Sequence, residues 1–276
     1  MSAPQQVIAA PFDAVAARYD ETFTLSKIGQ AQRAAVWREL AKTFNSGQRI
    51  LEIGCGTGVD ARFLAERGVR VVACDPSSQM IDVMMSRIQQ SALQGFVQPC
   101  VLGAENLASL WSSEAFDGAF SNFGALNCVS DLRKLATDLA QLLKPGATAL
   151  LCWMGPYCIW EMMWYLAHGN RRKAFRRFTA GGVIAKIAEN ACVHVHYPSF
   201  ESIQRTFAPE FTVRSVQGVG VAVPPSYCES WAGRHSHLLE FFSKVDSQLG
   251  RCPGIRLLGD HVLVSMQRER AVSRTN

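Results

Sequence analysis

Arg49-Ile-Leu-Glu52-Ile-Gly54-Cys-Gly56-Thr-Gly58 decides the fold: an apolar run of β type ends in a carboxylate and then in glycines at three alternate positions. Glycine lacks a Cβ, so such a turn accepts unusual backbone angles and lets a ligand lie directly on backbone N–H groups. Downstream, residues 59–68 carry Ala61, Phe63, Leu64 and Ala65 at helix-compatible spacing, and 69–74 is a second apolar strand ending in Asp75. The unit is strand, glycine turn, helix, strand, acid.

The spacing bears on which nucleotide the turn serves. A dinucleotide fingerprint, G-x-G-x-x-G, needs its third glycine for helix–strand packing; that position is Val59 in this chain, and the third glycine falls one residue earlier at Gly58. Glu52, just before the turn, is a poor neighbour for a pyrophosphate and a good one for a ligand carrying an ammonium and a sulfonium. Asp75 ends the second strand, where a carboxylate can accept hydrogen bonds from both ribose hydroxyls. Leu-Glu52-Ile-Gly54-Cys-Gly56-Thr-Gly58 followed by Asp75 closely resembles the first two motifs of class I S-adenosylmethionine-dependent methyltransferases of the small-molecule type. The resemblance covers about residues 10 to 155, and the remainder only in outline. It implies an α/β, Rossmann-like, doubly wound seven-stranded sheet with helices on both faces, a helical lid and helical insertions. It also implies S-adenosyl-L-methionine as cofactor.

Further stretches extend the likeness. Phe12-Asp13-x-x-Ala16-x-x-Tyr19-Asp20 resembles the family's N-terminal lid, whose tyrosine covers the cofactor; Tyr19 as a plain packing aromatic is the open alternative. After Asp75, Pro76-Ser77-Ser78 opens a helix with hydroxyl caps, and Met80 stands one turn in, either against adenine or as a core methionine. A third strand over 96–102 leads into Gly103-Ala104-Glu105, similar to the family's adenine segment, except that Gly103 replaces the usual aspartate, leaving the Ala104 backbone or Glu105 to substitute. A fourth strand ends in Ser121-Asn122-Phe123-Gly124, where the transferable methyl should point; it lacks the two prolines of enzymes acting on exocyclic or amide nitrogens. Leu-Lys144-Pro145-Gly146-Ala matches the entry to the fifth strand, 147–153. The cofactor set expected from the resemblance is therefore Tyr19, Glu52, Gly54, Cys55, Gly56, Gly58, Asp75, Pro76, Met80, Ala104, Glu105 and Ser121.

Composition sets outer limits. The 276 residues are 48% hydrophobic and 18% charged, an ordinary globular balance with enough apolar material for a substantial core. A formal charge of +5 is too modest to signal nucleic acid, which is not an expected partner. Nine cysteines with no C-x-x-C spacing read as small hydrophobes in a reducing cytoplasm, and the amino terminus shows no secretory pattern. The apolar run 149–167 approaches the length of a membrane span, but Gly155-Pro156 splits it into a strand and a separate helix. No metal is expected: His194-x-His196 alternates in a strand-like stretch without a third ligand at a telling spacing.

Four segments follow: a helical lid at 1–45, a cofactor-binding core at 46–155, a helical insertion at 156–210 as the acceptor region, and the last strands at 211–276 with a helical insertion at about 218–259. Strands six and seven are expected over 211–216 and 260–267. Trp160, Met163 and Trp164 share one helix face, and a basic run, Arg171-Arg172-Lys173-Ala-Phe-Arg176-Arg177, follows. That helix is open to three readings: acceptor-pocket wall, membrane-surface element, or core helix with a solvated continuation. The function implied is methyl transfer to a small, apolar or aromatic, metabolite- or lipid-like acceptor, with peripheral membrane contact as an accompanying expectation. The oligomeric state, the methylated element and the catalytic residue stay unassigned. The competing readings are a nicotinamide or flavin oxidoreductase, opposed by Glu52 and the glycine spacing, a non-catalytic partner of the same fold, and a protein or RNA methyltransferase.

Overall fold

The computed structural model describes residues 10–111 and 114–270. Seven strands form one sheet: β1 (Arg49–Ile53), β2 (Arg70–Asp75), β3 (Val97–Val101), β4 (Phe116–Ser121), β5 (Leu143–Trp153), β8 (Phe211–Val219) and β9 (His261–Arg268). Their order is β3-β2-β1-β4-β5-β9-β8, parallel from β3 to β5 and antiparallel from β5 to β8. The chain works outward from β1 to β3 and then returns to β4 on the other side of β1. Ligands in open α/β sheets bind at such a reversal, outside the carboxyl ends of the strands, and the glycine turn leaves β1 there.

Both faces of the sheet are covered, which explains why its strands read as nearly continuous apolar runs. On one face, α2 (Lys27–Thr43), α3 (Val59–Ala65) and α4 (Ser78–Gln90) bury Val36, Leu40, Leu64, Ile81 and Met84 against Ile50, Val71 and Phe120. On the other, α5 (Leu132–Leu142) and α8 (Phe200–Phe207) bury Leu135, Leu139, Ile203 and Phe207 against Leu51, Val72 and Trp153. Asp131 caps α5 by accepting from the Lys134 N–H at 2.8 Å, and Ser77 caps α4 through the Met80 N–H at 3.1 Å.

Two expectations need correction. The fifth strand starts at Leu143, ahead of the expected 147, because Lys144-Pro145-Gly146 lies within it rather than ahead of it. The ladder with β4 shifts register between Phe116 and Gly118, an irregularity of the kind that admits a proline inside a strand. The larger correction concerns 156–210, which is not uniformly helical. After α6 (Ile159–Ala167) and α7 (Arg171–Ala174), the chain forms an antiparallel hairpin, β6 (Val183–Ala188) and β7 (Ala191–Val195), separate from the main sheet. Its alternation was hard to read because the outward face is itself apolar in part: Ile184 is 77% exposed.

The amino-terminal segment comprises a 3-10 turn (Pro11–Val15), α1 (Ala16–Tyr19) and a short π-helical turn (Asp20–Thr24). Between β8 and β9 stand α9 (Glu229–Arg234) and α10 (Ser236–Leu249), which share a small third core with Ile28 of α2. Among the described residues no helix is long and apolar enough to cross a membrane.

Candidate functional site

Gly54, Gly56 and Gly58 adopt φ of +70°, +52° and +73°, the left-handed region where a side chain is strained. Space separates their roles. A Cβ at Gly54 would come 2.3 Å from the Ala125 Cβ, and one at Gly58 would come 2.2 Å from the Met84 Cγ, so these two glycines serve close packing. A Cβ at Gly56 would meet nothing within 4 Å: there the backbone borders open space.

Carboxylates surround that opening. Asp75 accepts from the N–H groups of Gly56 and Ser77, both at 2.9 Å, which ties the end of β2 to the glycine turn. Its pKa is raised by burial, against the lowering effect of those two bonds. Glu52 is 2% exposed, and its Oε2 has no hydrogen-bond partner. Burial pushes its pKa well above the usual carboxylate range; nearby Asp60 adds to this and Arg33 opposes it. Asp60, in the first turn of α3, accepts from Arg33 at 2.6 Å, Trp37 at 2.7 Å and Asn122 at 2.9 Å. Arg33 also stands over the Phe123 ring, 4.8 Å from its centroid.

Two adjoining cavities open above the turn. One, of about 240 Å³, is bordered by Phe12, Gly54, Asp75, Pro76, Ala104 and Glu105. The other, of about 300 Å³, shares Phe12, Gly54 and Asp75 and continues past Tyr19, Met80, Asn122 and Phe123 to the hairpin. A shallow pocket beside them brings in Arg33, Cys55 and Asp60. Of the expected residues, Tyr19, Gly54, Cys55, Gly56, Asp75, Pro76, Met80, Ala104 and Glu105 line this cleft. Glu52 lies buried among the charges of Arg33, Asp60 and Asp75, and Gly58 packs on Met84. Ser121 departs from the expectation. It is fully buried and donates its hydroxyl to the Ile53 carbonyl at 2.7 Å, joining β4 to β1 instead of facing the cleft.

The lid is fastened both to the glycine turn and to the start of α4. Asp13 accepts from the Ser77 hydroxyl at 2.6 Å, and Asp20 accepts from the Thr57 hydroxyl at 2.7 Å and pairs with Arg87. Arg33, Asp60 and Tyr197 belong to no contiguous motif and the sequence does not single them out; Arg176 shows only as a member of the basic run, and Asn122 and Phe123 only by their place after β4.

The aromatic face of α6 is not a wall of this cleft. Trp160 donates its indole N–H to the Ala222 carbonyl at 3.1 Å and sits beside Phe242, while Trp164 packs on Tyr227 over the third core; Met163 is 59% exposed. The hairpin supplies the wall instead, through Ala185, Ile187, Val193 and Val195. The basic run is divided as well. Arg171, Arg172 and Lys173 are exposed, but Arg177 is buried and Arg176 is partly so, both paired with the buried Glu161. His194 and His196 sit with ring centroids 4.3 Å apart, and among the described residues no three His, Cys, Asp or Glu side chains gather as a metal site requires.

The residues present fit S-adenosylmethionine. The open backbone at Gly56, the unpaired Glu52 Oε2 and the unpaired Asn122 Oδ1 offer a cradle and acceptors for a cationic amino-acid moiety. Asp75 would hold the ribose, with Pro76, Ala104 and Glu105 along the base. Comparison with known proteins points the same way. Residues 50–146 match the family model described as a methyltransferase domain. A demethylmenaquinone methyltransferase of Clavibacter sepedonicus is 34% identical over 147 residues, 52% of this chain and 57% of that protein, so the likeness runs through little more than half of the relative. Among solved structures, the CcbJ methyltransferase from Streptomyces caelestis superposes with a TM-score of 0.62 at 14% identity, covering 95% of this chain and 99% of that one. The [4+2]-cyclase SpnF gives 0.63 at 14% identity, covering 94% and 93%. Those two likenesses establish the shared fold. By these matches residues 50–146 form a methyltransferase domain, within a sheet that shares the fold of the CcbJ methyltransferase.

Proposed function

We propose that this chain moves a methyl group from S-adenosylmethionine to a small, largely apolar acceptor held between the Asn122-Phe123 loop and the hairpin. The observation that carries this reading is the continuity of the cleft: the cavity at the glycine turn runs on past Phe123 to a wall of Ala185, Ile187, Val193 and Val195. A volume of about 300 Å³ suits a small molecule better than a nucleic-acid strand or a protein surface. The quinone-type acceptor in the relative's name belongs to the same apolar class.

When bound, the cofactor supplies a methyl already activated by a positive sulfur. The chain's own task is then to align the acceptor and exclude water. Phe12 and Tyr19 of the lid and the hairpin residues would do the excluding. Asn122 and Phe123, fixed at the end of β4 by Asp60 and Arg33, would face the acceptor. Among the described residues no histidine borders either cavity, and the bordering carboxylates Asp75 and Glu105 stand at the glycine-turn end, so the acceptors favoured are those needing no base: an activated carbon, an amine or an oxygen already ionised. An oxidoreductase reading has less in its favour, since the buried Glu52 and neighbouring Asp60 and Asp75 disfavour a pyrophosphate.

A peripheral contact with an anionic bilayer accompanies this function. Tyr157, Phe175 and Phe178 are 44%, 45% and 46% exposed, and the Phe178 ring meets those of Tyr157 and Phe175 at centroid distances of 5.4 and 6.1 Å. The exposed Arg171, Arg172 and Lys173 beside them supply charge complementary to acidic headgroups.

Calorimetry with S-adenosylmethionine and S-adenosylhomocysteine, followed by a screen of apolar acceptors with methyl-labelled cofactor, tests the main proposal. Asp75→Ala should weaken both ligands by about 1–3 kcal/mol, the cost of losing hydrogen bonds to a charged group. Absence of binding by the intact chain would end the proposal.

A further inference from the structure

One group in the acceptor chamber is not explained by an apolar ligand. Arg176 precedes the hairpin in the chain and Tyr197 follows it, and both border the larger cavity, whose hairpin wall is otherwise aliphatic. Arg176 is held in a fixed pose by a buried relay. Glu161, 1% exposed, accepts from Arg176 Nε at 2.7 Å and Nη2 at 2.9 Å, and from Arg177 Nη2 at 2.9 Å. Arg177, 6% exposed, donates in turn to the Asp260 carboxylate at 2.6 Å and its carbonyl at 3.0 Å, and its guanidinium lies 5.3 Å from the Tyr197 ring centroid.

Two arginines and two acids balance in number, so the cluster adds no net charge. What matters is how the charges are layered. Glu161 and Asp260 are buried, whereas Arg176 retains 36% of its side-chain exposure, and its Nη1 takes no part in the bonds to Glu161. Burying three charges stabilises a fold poorly compared with apolar packing, but it does hold the fourth, the Arg176 guanidinium, rigidly at a chosen place, as a recognition group requires. At the opposite end of the cleft the acidic side chains Glu52, Asp60 and Asp75 gather, with Asp60 already paired to Arg33 at 2.6 Å. The exposed guanidinium edge of Arg176 therefore lies at the hairpin end of the chamber.

The geometry points to an acceptor with an apolar body and a carboxylate, the carboxylate read by Arg176 and Tyr197 at the hairpin end while the methyl-accepting atom faces Asn122. Arginine matches a planar carboxylate by paired hydrogen bonds, and the glycine-turn end offers acids rather than a free cation to the same group. This inference rests on the methyltransferase reading and adds to it the chemical class of the acceptor and its direction in the chamber.

The test uses the whole chain saturated with S-adenosylhomocysteine and two matched probes, 1-hydroxy-2-naphthoate and 1-naphthol, titrated by calorimetry. The carboxylate probe should bind at least tenfold more tightly than the naphthol. Arg176→Ala should abolish that preference and Arg176→Lys should keep part of it, with S-adenosylhomocysteine affinity unchanged in both. Equal affinity for the two probes, failure of the carboxylate probe to bind, or a preference that survives Arg176→Ala would overturn the inference. Failure of the chain to bind S-adenosylhomocysteine would instead overturn the methyltransferase proposal, so the two outcomes are distinct.

Discussion

The two sides of the cleft are made from different kinds of chain. Its floor, residues 49–128, comes from the carboxyl ends of parallel strands, and its decisive features are backbone angles and buried carboxylates: three glycines at positive φ, with Glu52, Asp60 and Asp75 around them. Its wall, residues 176–197, is a hairpin joined to no other strand, held by a chain of ion pairs and a few aliphatic contacts. A floor built that way can carry out one binding task and tolerates little change. A wall that pairs with no strand of the main sheet, and whose backbone is tied to the floor at His196 and Asn127, can change its lining without disturbing the sheet, which is where acceptor choice can vary independently of cofactor binding.

The sharpest way to break this comparison is at Gly56. Valine there adds a side chain to open space, so packing is not lost, but the positive φ is strained and the branched group fills the cradle. Expected is a loss of S-adenosylhomocysteine affinity of at least about a hundredfold, some 2.7 kcal/mol, with a folded protein still present by circular dichroism. Normal affinity in that variant would show that the floor does not act through its backbone.

A change of comparable size, in stability rather than affinity, is expected of Trp160→Ala on α6. Since Trp160 packs on Phe242 and bonds the Ala222 carbonyl, away from the cleft, its removal should cost about 3 kcal/mol in a denaturant titration. Cofactor affinity of the folded fraction should stay within about twofold of the parent. Had α6 been the chamber wall, the reverse pattern would appear, with stability kept and acceptor binding lost.

The contrast also explains what could be read in advance. The succession of strands along the chain and the floor were legible because their causes are local: alternate glycines, an acid at the end of each of the first two strands, and apolar runs of strand length. Asp75 and Gly56 follow from type and spacing alone. Ser121 misled because β4 places it one residue short of the loop, where its hydroxyl turns to the Ile53 carbonyl; the cleft residues are its neighbours Asn122 and Phe123. The wall was illegible for a different reason. Arg177 meets Asp260 across 83 positions, and no local pattern distinguishes it from Arg171 or Arg172, which stay in solvent. The shared helix face of Trp160 and Trp164 left pocket wall, membrane element and core helix all open, because which surface that face meets is decided by α9 and α10, far along the chain.

A subtler difference between floor and wall lies in protonation. Glu52 is pushed well above its ordinary pKa of 4.5 by burial. From the unfolded value up to the raised folded value, the native state therefore holds the proton that the unfolded chain has released, and stability falls as pH rises through that window. Below the window both states are protonated and the effect vanishes. Glu52→Gln should remove this contribution and melt at a higher temperature than the parent at pH 7 to 8. A cationic cofactor favours the ionised carboxylate, so its binding should release a proton and tighten severalfold with rising pH in the parent, less so in Glu52→Gln. Calorimetry in buffers of different ionisation enthalpy measures that proton; no release would mean that Glu52 is ionised before the ligand arrives.

The smallest effect is expected outside the cleft, at the face where the wall segment meets solvent. Tyr157, Phe175 and Phe178 form a half-exposed aromatic patch, and Arg171, Arg172 and Lys173 lie next to it in the chain without the buried partners that hold Arg176 and Arg177. Each such cation near an acidic bilayer contributes about 1 kcal/mol, so three of them with a shallow aromatic insertion would give weak, reversible association. Flotation with vesicles containing acidic phospholipid at low salt should recover part of the protein. Recovery should fall as salt shortens the range of the attraction, and Arg171→Glu with Arg172→Glu should abolish it while leaving stability nearly unchanged, because both residues are exposed. Phe178→Ser should reduce it less, since one ring of three is removed. Equal recovery on neutral vesicles, or none on acidic ones, would show that these arginines are ordinary solvated charges and that the wall meets its acceptor without a membrane.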